Sequence, residues 1–306
     1  MPDPDWMTSA AEIEAIVAGR HGDPFAVLGL HEAGSTWVAR AFVPGAEELE
    51  VSAPGGPGLA RLERRHPAGF FEGPVPVQSR RPLVYRARNA GGLWTVEDAY
   101  LLGPVLGPLD DYYLAEGNHL RLYDRLGAHP MHHEGHDGVH FAVWAPNASR
   151  VSVVGDFNGW DGRRNVMRKR RDTGVWEIFI PGAKEGQCYK YELLDAAGKL
   201  LPLKSDPMGF AAELRPKTAS KVARTDAFAW ADQAYMAARK QRDPRRQPMC
   251  VYEVHLGSWR RREDGSFLSY DDLAEQLIPY AAWMGFTHLE LLPVSSSRWV
   301  KPNHAA

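Results

Sequence analysis

A pattern of short apolar segments and turns occurs twice in this chain, and it constrains the fold more than any other feature. Residues 37–52 read WVARAFVPGAEELEVS and residues 139–154 read VHFAVWAPNASRVSVV, with Pro44 and Pro146 in matching positions and no gap between them. Further along, GFFEGPVPV corresponds to GVWEIFIPG, and LVYRARNAGG to CYKYELLDAAG. Short alternating segments separated by Gly and Pro are typical of antiparallel β-sandwiches. A shared order over about a hundred residues predicts two successive modules of one fold, each with its own core.

A helix is predicted ahead of the first module, and a structured segment between the two modules. Ser9 and Glu12 have the spacing of a capping box, and Gly19 is a helix stop signal. The apolar stripe between them consists of Ile13, Ile16 and Val17. Residues 101–130 are punctuated by Gly and Pro but also carry many apolar side chains, which predicts a packed connector rather than a free linker.

The periodicity changes after residue 250. VYEVHL, from Val251, has the pattern of a buried strand, and THLELLPV forms a second such strand. Between them, Ser269 and Asp272 open a helix that Gly285 closes. Its predicted apolar stripe consists of Leu273, Leu277, Tyr280 and Met284. This is a β-α-β unit, in which parallel strands are expected, and it is much shorter than the roughly 250 residues of a complete eight-fold barrel.

The predicted fold class is therefore multidomain and mainly β: two tandem immunoglobulin-like β-sandwiches followed by the first β-α-β unit of an incomplete (β/α)8 barrel. The helical spacing and the basic, Pro-broken end of residues 225–248 predict a domain boundary near residue 245. The predicted domains are an N-terminal helix (1–19), a first β-sandwich (20–115), a second β-sandwich (116–224), a helical connector (225–250), the start of the barrel (251–294) and a divergent tail (295–306).

Composition excludes several classes of partner. The 36 basic and 38 acidic residues nearly cancel, and the net charge of −2 provides no field for collecting nucleic acid or an anionic membrane. The basic runs RRNVMRKRRD and RKQRDPRR are interpreted as exposed, solvated faces.

Cys188 and Cys250 are the only cysteines, which predicts no disulfide and a reducing compartment. The acidic N-terminus has no long apolar run, so we expect neither signal peptide nor anchor and a cytoplasmic location.

Several segments, taken together and in order, resemble one family. They are HGDPFAVLG from His21, VGDFNGWDGRRNVM from Val154, VYEVHLGSW from Val251 and YDDLAEQLIPYAAWMGFTHLELLPV from Tyr270. Over residues 20–294 they resemble the bacterial 1,4-α-glucan (glycogen) branching enzymes. GDFNGW alone also resembles debranching enzymes and glycogen-binding subunits of kinases, whereas HLGSW combined with a doubled N-terminal module narrows the resemblance to branching enzymes.

The resemblance implies a reaction but no catalytic residue in this chain. Branching enzymes form α-1,6 branches in glycogen biosynthesis by a retaining double displacement, with an Asp nucleophile, a Glu acid and base and a second Asp, on later strands of an α-amylase-type barrel. No position here corresponds to those carboxylates, and after Val294 the sequence departs from the family, which implies a truncated, inactive form. Glu253 and Glu290 lie on the predicted barrel strands and are interpreted as strand-end residues. No cofactor is expected.

The resemblance also implies a glucan-binding surface on the second module. Trp160, in the turn of GDFNGW, is expected to stack on a glucose ring, Asn158 to donate to hydroxyls, and Lys190 to contact sugar. Where binding relatives place a second Trp, this sequence has Gly198 and Lys199. The alternative is that Trp160 packs against the barrel.

A histidine-rich run precedes the second copy of the repeat. It contains His129, His132, His133, His136 and His140. Imidazoles at short spacing can converge on zinc, but Gly135 and Gly138 interrupt the run, and we interpret it as a solvated loop before the first strand of the second module, with no metal site.

Three functional hypotheses follow. The first is a truncated branching enzyme that binds α-glucan, as glycogen or linear maltodextrins, acts as a monomer and contacts neither nucleic acid nor membrane. The second is a stand-alone glycogen-binding module, which the β-α-β unit disfavours. The third is a debranching or trehalose-forming relative of the amylases, which HLGSW and the doubled module disfavour.

Overall fold

A computed structural model of the protein describes residues 6–214, 216–226, 228–292 and 294. It divides into two compact units. The first unit comprises the residues up to Glu213 together with Thr218–Thr225, and the second comprises Leu214–Lys217 and the residues from Asp226 onward. The predicted divergent tail, residues 295–306, lies outside the described residues.

The first predicted sandwich is built from one curled sheet of seven strands. The strands are β1 (Gly29–Ala33), β2 (Thr36–Phe42), β3 (Glu48–Ser52), β4 (Gly58–His66), β5 (Phe70–Val75), β6 (Val84–Asn89) and β7 (Gly92–Val96). Their order is β1-β2-β5-β4-β3-β6-β7, all antiparallel. Strand β4 pairs with both β5 and β3, and its register shifts between Arg64 and His66. Side chains from both ends of this strand order, including Leu49, Phe71 and Tyr85, form one core.

The second sandwich has two separate four-stranded sheets. The strands are β8 (Gly127–His133), β9 (His136–Trp144), β10 (Arg150–Gly155), β11 (Arg168–Arg170), β12 (Val175–Pro181), β13 (Cys188–Leu194), β14 (Ala211–Ala212) and β15 (Ser220–Lys221). One sheet has the order β11-β12-β9-β8 and the other β10-β13-β15-β14. Phe141, Trp176 and Tyr189 fill the space between them. The predicted mainly β fold is confirmed.

The repeat in the sequence is a repeat in the backbone. The Val43 N–H donates to the Gly69 carbonyl at 2.8 Å, and the Ala145 N–H donates to the Gly174 carbonyl at the same distance. Both glycines have positive φ, 104° and 75°, in a region that glycine adopts without the steric cost paid by other residues. The Pro-x-Ala turns therefore join equivalent strands in the two modules.

The repeated unit also includes a helix. Helix α1 (Ala10–Val17) packs Ile13 and Ile16 against the first sandwich, and helix α2 (Pro108–Ala115) occupies the matching place ahead of the second. Leu114 of α2 packs with the core beneath the second sandwich. The predicted module boundary at residues 115/116 thus falls after a helix that belongs with the second sandwich, because its apolar contacts are there.

Both modules then enter their first strand in the same way. Leu28 and Leu126 are each followed by a glycine of positive φ, and the carbonyls of these leucines lie 2.8 Å and 3.0 Å from the Nε2 atoms of His31 and His129. The shared letters L-G-x-H were available in the sequence as a further sign of the repeat. They place His129 in a structural role.

The connector between the sandwiches is packed, as predicted, and a buried carboxylate anchors it. Glu177 of β12 accepts hydrogen bonds from the backbone N–H groups of Val105 and Leu106 at 3.1 Å and 3.0 Å, and His140 Nε2 lies 3.0 Å away. Arg170 forms an ion pair with Glu177 at 3.3 Å and a bidentate pair with Asp111 of α2. A buried charge without a partner carries a large desolvation cost, and the pairing of these charges offsets that cost.

The first unit holds its two sandwiches together through the segment after β7. The Tyr100 hydroxyl accepts a hydrogen bond from the Val166 N–H at 2.9 Å. Arg168 donates to the Leu102 carbonyl at 2.8 Å, and its guanidinium lies 3.7 Å from the centroid of the Phe25 ring. Arg168 and Arg170, interpreted from the sequence as part of a solvated face, are therefore structural, because distant segments supply their partners.

The histidine-rich run is a β-hairpin, not a loop that precedes the first strand. It forms β8 and β9, with Glu134 and Gly135 at positive φ in the turn. The side chains of His132 and His133 have separate partners, Asp137 and the Gly103 carbonyl. In the described ranges, no three His, Cys, Asp or Glu side chains form a group that could hold a metal ion.

The second unit contains the predicted β-α-β arrangement. Its elements are α3 (Gln233–Lys240), β16 (Val251–Val254), α4 (Leu256–Trp259), α5 (Tyr270–Trp283) and β17 (His288–Leu291). Strands β16 and β17 are parallel, and Ser269 and Asp272 form the capping box of α5. Leu273 and Leu277 are buried as predicted, but Met284 is exposed at the helix end and Ala281 is buried instead. Across the part of the chain that the structure describes, no helix has the length and apolarity to cross a membrane.

Candidate functional site

The loop after β10 folds back over the outer face of the sheet β10-β13-β15-β14. Ser152 Oγ donates to the Asn165 carbonyl at 2.9 Å, and Arg150 donates to the Gly162 carbonyl at 3.0 Å. Strand β10 is consequently buried on both faces. We call residues 156–167 the covering loop. It contains two of the three residues that the sequence proposes as sugar contacts.

Asn158 lies inside the covering loop. Its Oδ1 accepts from the backbone N–H groups of Gly155 at 2.9 Å and Trp160 at 3.1 Å, and its Nδ2 donates to the Val153 carbonyl at 2.9 Å and to Asn165 Oδ1 at 2.8 Å. Only 3% of the residue is exposed. Two donated and two accepted bonds use the hydrogen-bonding capacity of the amide, so in this conformation Asn158 shapes the turn that presents Trp160.

Trp160 is held in an unusual backbone conformation at the top of that turn. Its φ of 62° is in the left-handed region, where a bulky residue is a genuine outlier. Its indole N–H donates to Asp156 Oδ1 at 3.2 Å, and 39% of the residue remains exposed. Because the one polar atom of the ring is taken, the exposed part of the side chain is apolar ring surface.

Asp156 is a residue of the site that the sequence interpretation missed. Its Oδ2 accepts from the Cys188 N–H at 2.7 Å while Oδ1 holds the Trp160 indole. The carboxylate therefore ties the turn to strand β13. Its position four residues before Trp160 in GDFNGW was the available signal.

Lys190 lies on the same sheet as the covering loop. It is paired with Val154 across β10 and β13, one position from the Gly155 carbonyl to which the Trp160 backbone donates. Its Nζ donates to Thr218 Oγ1 at 2.6 Å. The structure thus brings Trp160 and Lys190 to neighbouring parts of one surface, with the cation already oriented by a hydroxyl.

Two carboxylates of this sandwich, Asp206 on the inner side of the sheet and Asp161 in the covering loop, are structural. Burial raises the pKa of Asp206, although the hydroxyls of Tyr189 and Tyr191 donate to it at 2.6 Å and 3.2 Å. The hydrogen bonds from Arg163 hold the pKa of Asp161 below its ordinary value. Neither pair has the arrangement of an acid and a base across a reacting bond, so the surface is suited to recognition.

The second unit places the two glutamates of the predicted barrel strands side by side. Glu253 and Glu290 are direct partners in the parallel pair, and both are exposed. His255 Nδ1 lies 2.9 Å from Ser258 Oγ, in the turn after β16. These side chains lie at an open pair of strands, without described strands on either side to enclose a substrate.

Comparison with known families defines the class of protein to which the two modules belong. Residues 125–209 match carbohydrate-binding module 48, the isoamylase N-terminal domain. Residues 9–100 match the N-terminal domain of the alpha-1,4-glucan branching enzyme GlgB. The second match begins at Ser9, the N-cap of α1, in agreement with the packing of that helix on the first sandwich.

The relatives narrow this class further. The chain is 60% identical over 294 residues to the 1,4-alpha-glucan branching enzyme GlgB of Rhizobium meliloti, which covers 96% of this chain and 40% of the relative. It is 57% identical over 292 residues to GlgB of Mesorhizobium japonicum, covering 95% and 40%, and 54% identical over 284 residues to GlgB of Rubrobacter xylanophilus, covering 92% and 38%. The chain thus spans about 40% of the length of these relatives, and it corresponds to the N-terminal region of the GlgB branching enzymes.

Proposed function

We propose that this chain is the α-glucan-holding N-terminal part of a 1,4-α-glucan branching enzyme, with glycogen and linear maltodextrins as ligands. The observation that carries the proposal is the fixed presentation of Trp160 by the covering loop, on the sheet that also carries Lys190. An aromatic plane suits the C–H face of a glucose ring, and a site whose groups are already oriented loses less entropy on binding.

Each proposed contact has a separate role. Trp160 supplies the stacking surface, Lys190 donates to sugar hydroxyls, and Asn158 and Asp156 set the shape of the turn. Asn158 is not proposed as a donor to sugar hydroxyls, because both N–H groups of its amide already donate within the loop.

We also propose that these 306 residues do not catalyse branching on their own. A retaining transfer needs two carboxyl groups about 5 to 5.5 Å apart across the scissile bond, enclosed so that a glucan hydroxyl rather than water completes the reaction. Among the described residues, the second unit offers one parallel strand pair and the exposed Glu253 and Glu290. In the branching enzymes, the reaction is expected to take place in a complete barrel.

Substitution of the tryptophan tests the binding proposal directly. We expect Trp160→Ala to weaken retention in glycogen-containing gels by about ten-fold, since aromatic anchors dominate such sites and about 1.4 kcal/mol corresponds to that factor. Trp230→Ala, which removes another exposed tryptophan, is the matched control and should migrate like the unsubstituted chain. The same preparations should produce no new α-1,6 linkages from amylose.

Two results would contradict the proposals. Unchanged mobility of a folded Trp160→Ala variant, checked by its thermal melt, would remove the binding role of Trp160 and leave packing as its function. A fall in iodine staining of amylose together with new α-1,6 linkages would show that the chain is catalytically competent.

A further inference from the structure

A second tryptophan of the second sandwich is exposed and fixed in the same manner as Trp160. Trp144 ends strand β9 and is 60% exposed, and its indole N–H donates to the Thr173 carbonyl at 3.2 Å. Gly174 permits this approach, because a Cβ built there would lie 3.0 Å from Trp144 Nε1. The ring is therefore held in place with its polar atom satisfied, and the surface that it leaves open is apolar.

Trp144 forms one wall of a groove of about 420 Å³ between the ends of α2 and β9. The opposite wall carries Tyr113 and His119, whose rings meet edge to face at 6.2 Å between centroids. The Tyr113 hydroxyl makes no hydrogen bond to any described residue and is available to a ligand. The volume falls in the usual range for small-ligand sites, about 300 to 1,000 Å³.

The repeat provides an internal comparison for this groove. In the first module the matching positions are Gly19 and Phe42, and Arg163 from the covering loop fills the space between them. A Cβ at Gly19 would lie 3.0 Å from Arg163 Cγ, and the Arg163 guanidinium lies 5.8 Å from the centroid of the Phe42 ring. Gly117 has the same left-handed backbone, yet no described atom lies within 4 Å of a Cβ built there. The groove is closed in the first module and open in the second.

The chemistry of the walls favours a neutral, amphipathic occupant. The described lining contains no Asp, Glu, Lys or Arg side chain. In the first module, the cation that fills the groove, Arg163, is paired with the carboxylate of Asp161. No described carboxylate lines the second groove, so a cation would have no partner there. Aromatic faces combined with a free hydroxyl match the alternating C–H faces and hydroxyls of a glucan.

We infer that this groove is a second α-glucan site, on the opposite sheet of the sandwich from Trp160. The inference rests on the proposed glucan-binding function of the module. Two sites on one module would hold separate segments of a glucan or neighbouring chains of one particle, so that the second contact forms at a high effective concentration.

Single and double variants of the full chain test the inference. We expect Trp144→Ala to reduce retention in glycogen gels by about five-fold, and the double variant with Trp160→Ala to lose more than either single one, because each single variant still keeps one site. Calorimetric titration with maltoheptaose should give two sites per chain, and one in Trp144→Ala. Leu120→Ala, on the same connector and 91% exposed, should match the unsubstituted chain.

The outcomes separate the two proposals. Unchanged affinity of Trp144→Ala, with weaker binding of Trp160→Ala, would overturn the second site and leave the proposed function intact; this is also the result expected if the groove holds polypeptide. Weaker binding of Trp144→Ala alone would support the groove and reject Trp160. If Trp144→Ala does not fold, Tyr113→Ala decides the question, and its unchanged affinity would overturn the inference.

Discussion

At the scale of single residues, Trp160 combines an unfavourable backbone with a fixed side chain. Among the described residues, only Glu134 and Trp160 have positive φ without being glycine. Left-handed backbone costs a residue with a Cβ roughly 1 to 2 kcal/mol, and such strain is retained where the surrounding structure imposes it. Here the hydrogen bonds of Asn158 and Asp156 hold Trp160 in this conformation. A large aromatic residue therefore stands where glycine would have a lower conformational cost.

A matched pair of variants measures that strain. Both Trp160→Gly and Trp160→Ala remove the ring, but only glycine relaxes the left-handed backbone. We expect the glycine variant to have a free energy of unfolding about 1 kcal/mol higher than the alanine variant, with equally weak retention on glycogen. Denaturant unfolding measures the difference, and equal stabilities would mean that the turn is not strained.

At the scale of elements, one carboxylate fastens the connector and α2 to the second sandwich. Burial alone would raise the pKa of Glu177, but the hydrogen bond and charge of His140, the Leu106 N–H and the charge of Arg170 outweigh it and hold the pKa below its ordinary value. The folded state therefore binds this proton less readily than the unfolded chain, whose Glu pKa is about 4.3. The stabilisation is complete above that pH and declines as the pH falls through it toward the folded value.

Substitution of Glu177 by the isosteric glutamine measures how much its charge contributes to stability. We expect Glu177→Gln to lower the free energy of unfolding by about 3 kcal/mol at pH 7, because His140 and Arg170 lose their buried partner. The variant should also lose part of the fall in stability that we expect of the unsubstituted chain as the pH drops below about 5. Urea unfolding across this range makes the comparison, and parallel curves for the two proteins would rule out the assignment to Glu177.

At the scale of the whole molecule, the two units differ in how much core they enclose. Among the described residues, the four clusters of buried apolar side chains lie in the first unit. In the second unit α3 buries no residue, and Val251, Trp283 and Leu291 are substantially exposed at the strand pair and on α5. An apolar surface and open strand edges of this kind are usually covered by further structure.

This difference predicts where a protease cuts. We expect limited proteolysis to cleave first between about residues 235 and 260, because segments with few buried contacts open most often, and to leave a resistant fragment that holds both sandwiches. Mass spectrometry of the fragments identifies the cut. Protection of this stretch equal to that of the sandwiches would show that the second unit is as stable as the first.

Much of the fold follows from local sequence alone. The capping boxes at Ser9 and Ser269, the paired Pro-x-Ala turns and the change of period after residue 250 all appear in the structure as predicted. Each depends on residues within one turn or strand, where backbone preference and the spacing of apolar residues are sufficient.

The tertiary structure decided the roles that depend on partners far away in the chain. The sequence predicts that Arg168 and Arg170 are solvated, whereas the structure pairs them with the connector. Asn158 is enclosed within the loop that it shapes. Phe42 and Trp144 occupy matching positions, yet only the first is covered, by Arg163 of the neighbouring module. The sequence determined that two modules of one fold form and which aromatic residue ends each matching strand. Burial depends on what packs alongside, so only the assembled unit decides which of these aromatic rings is left open to a ligand.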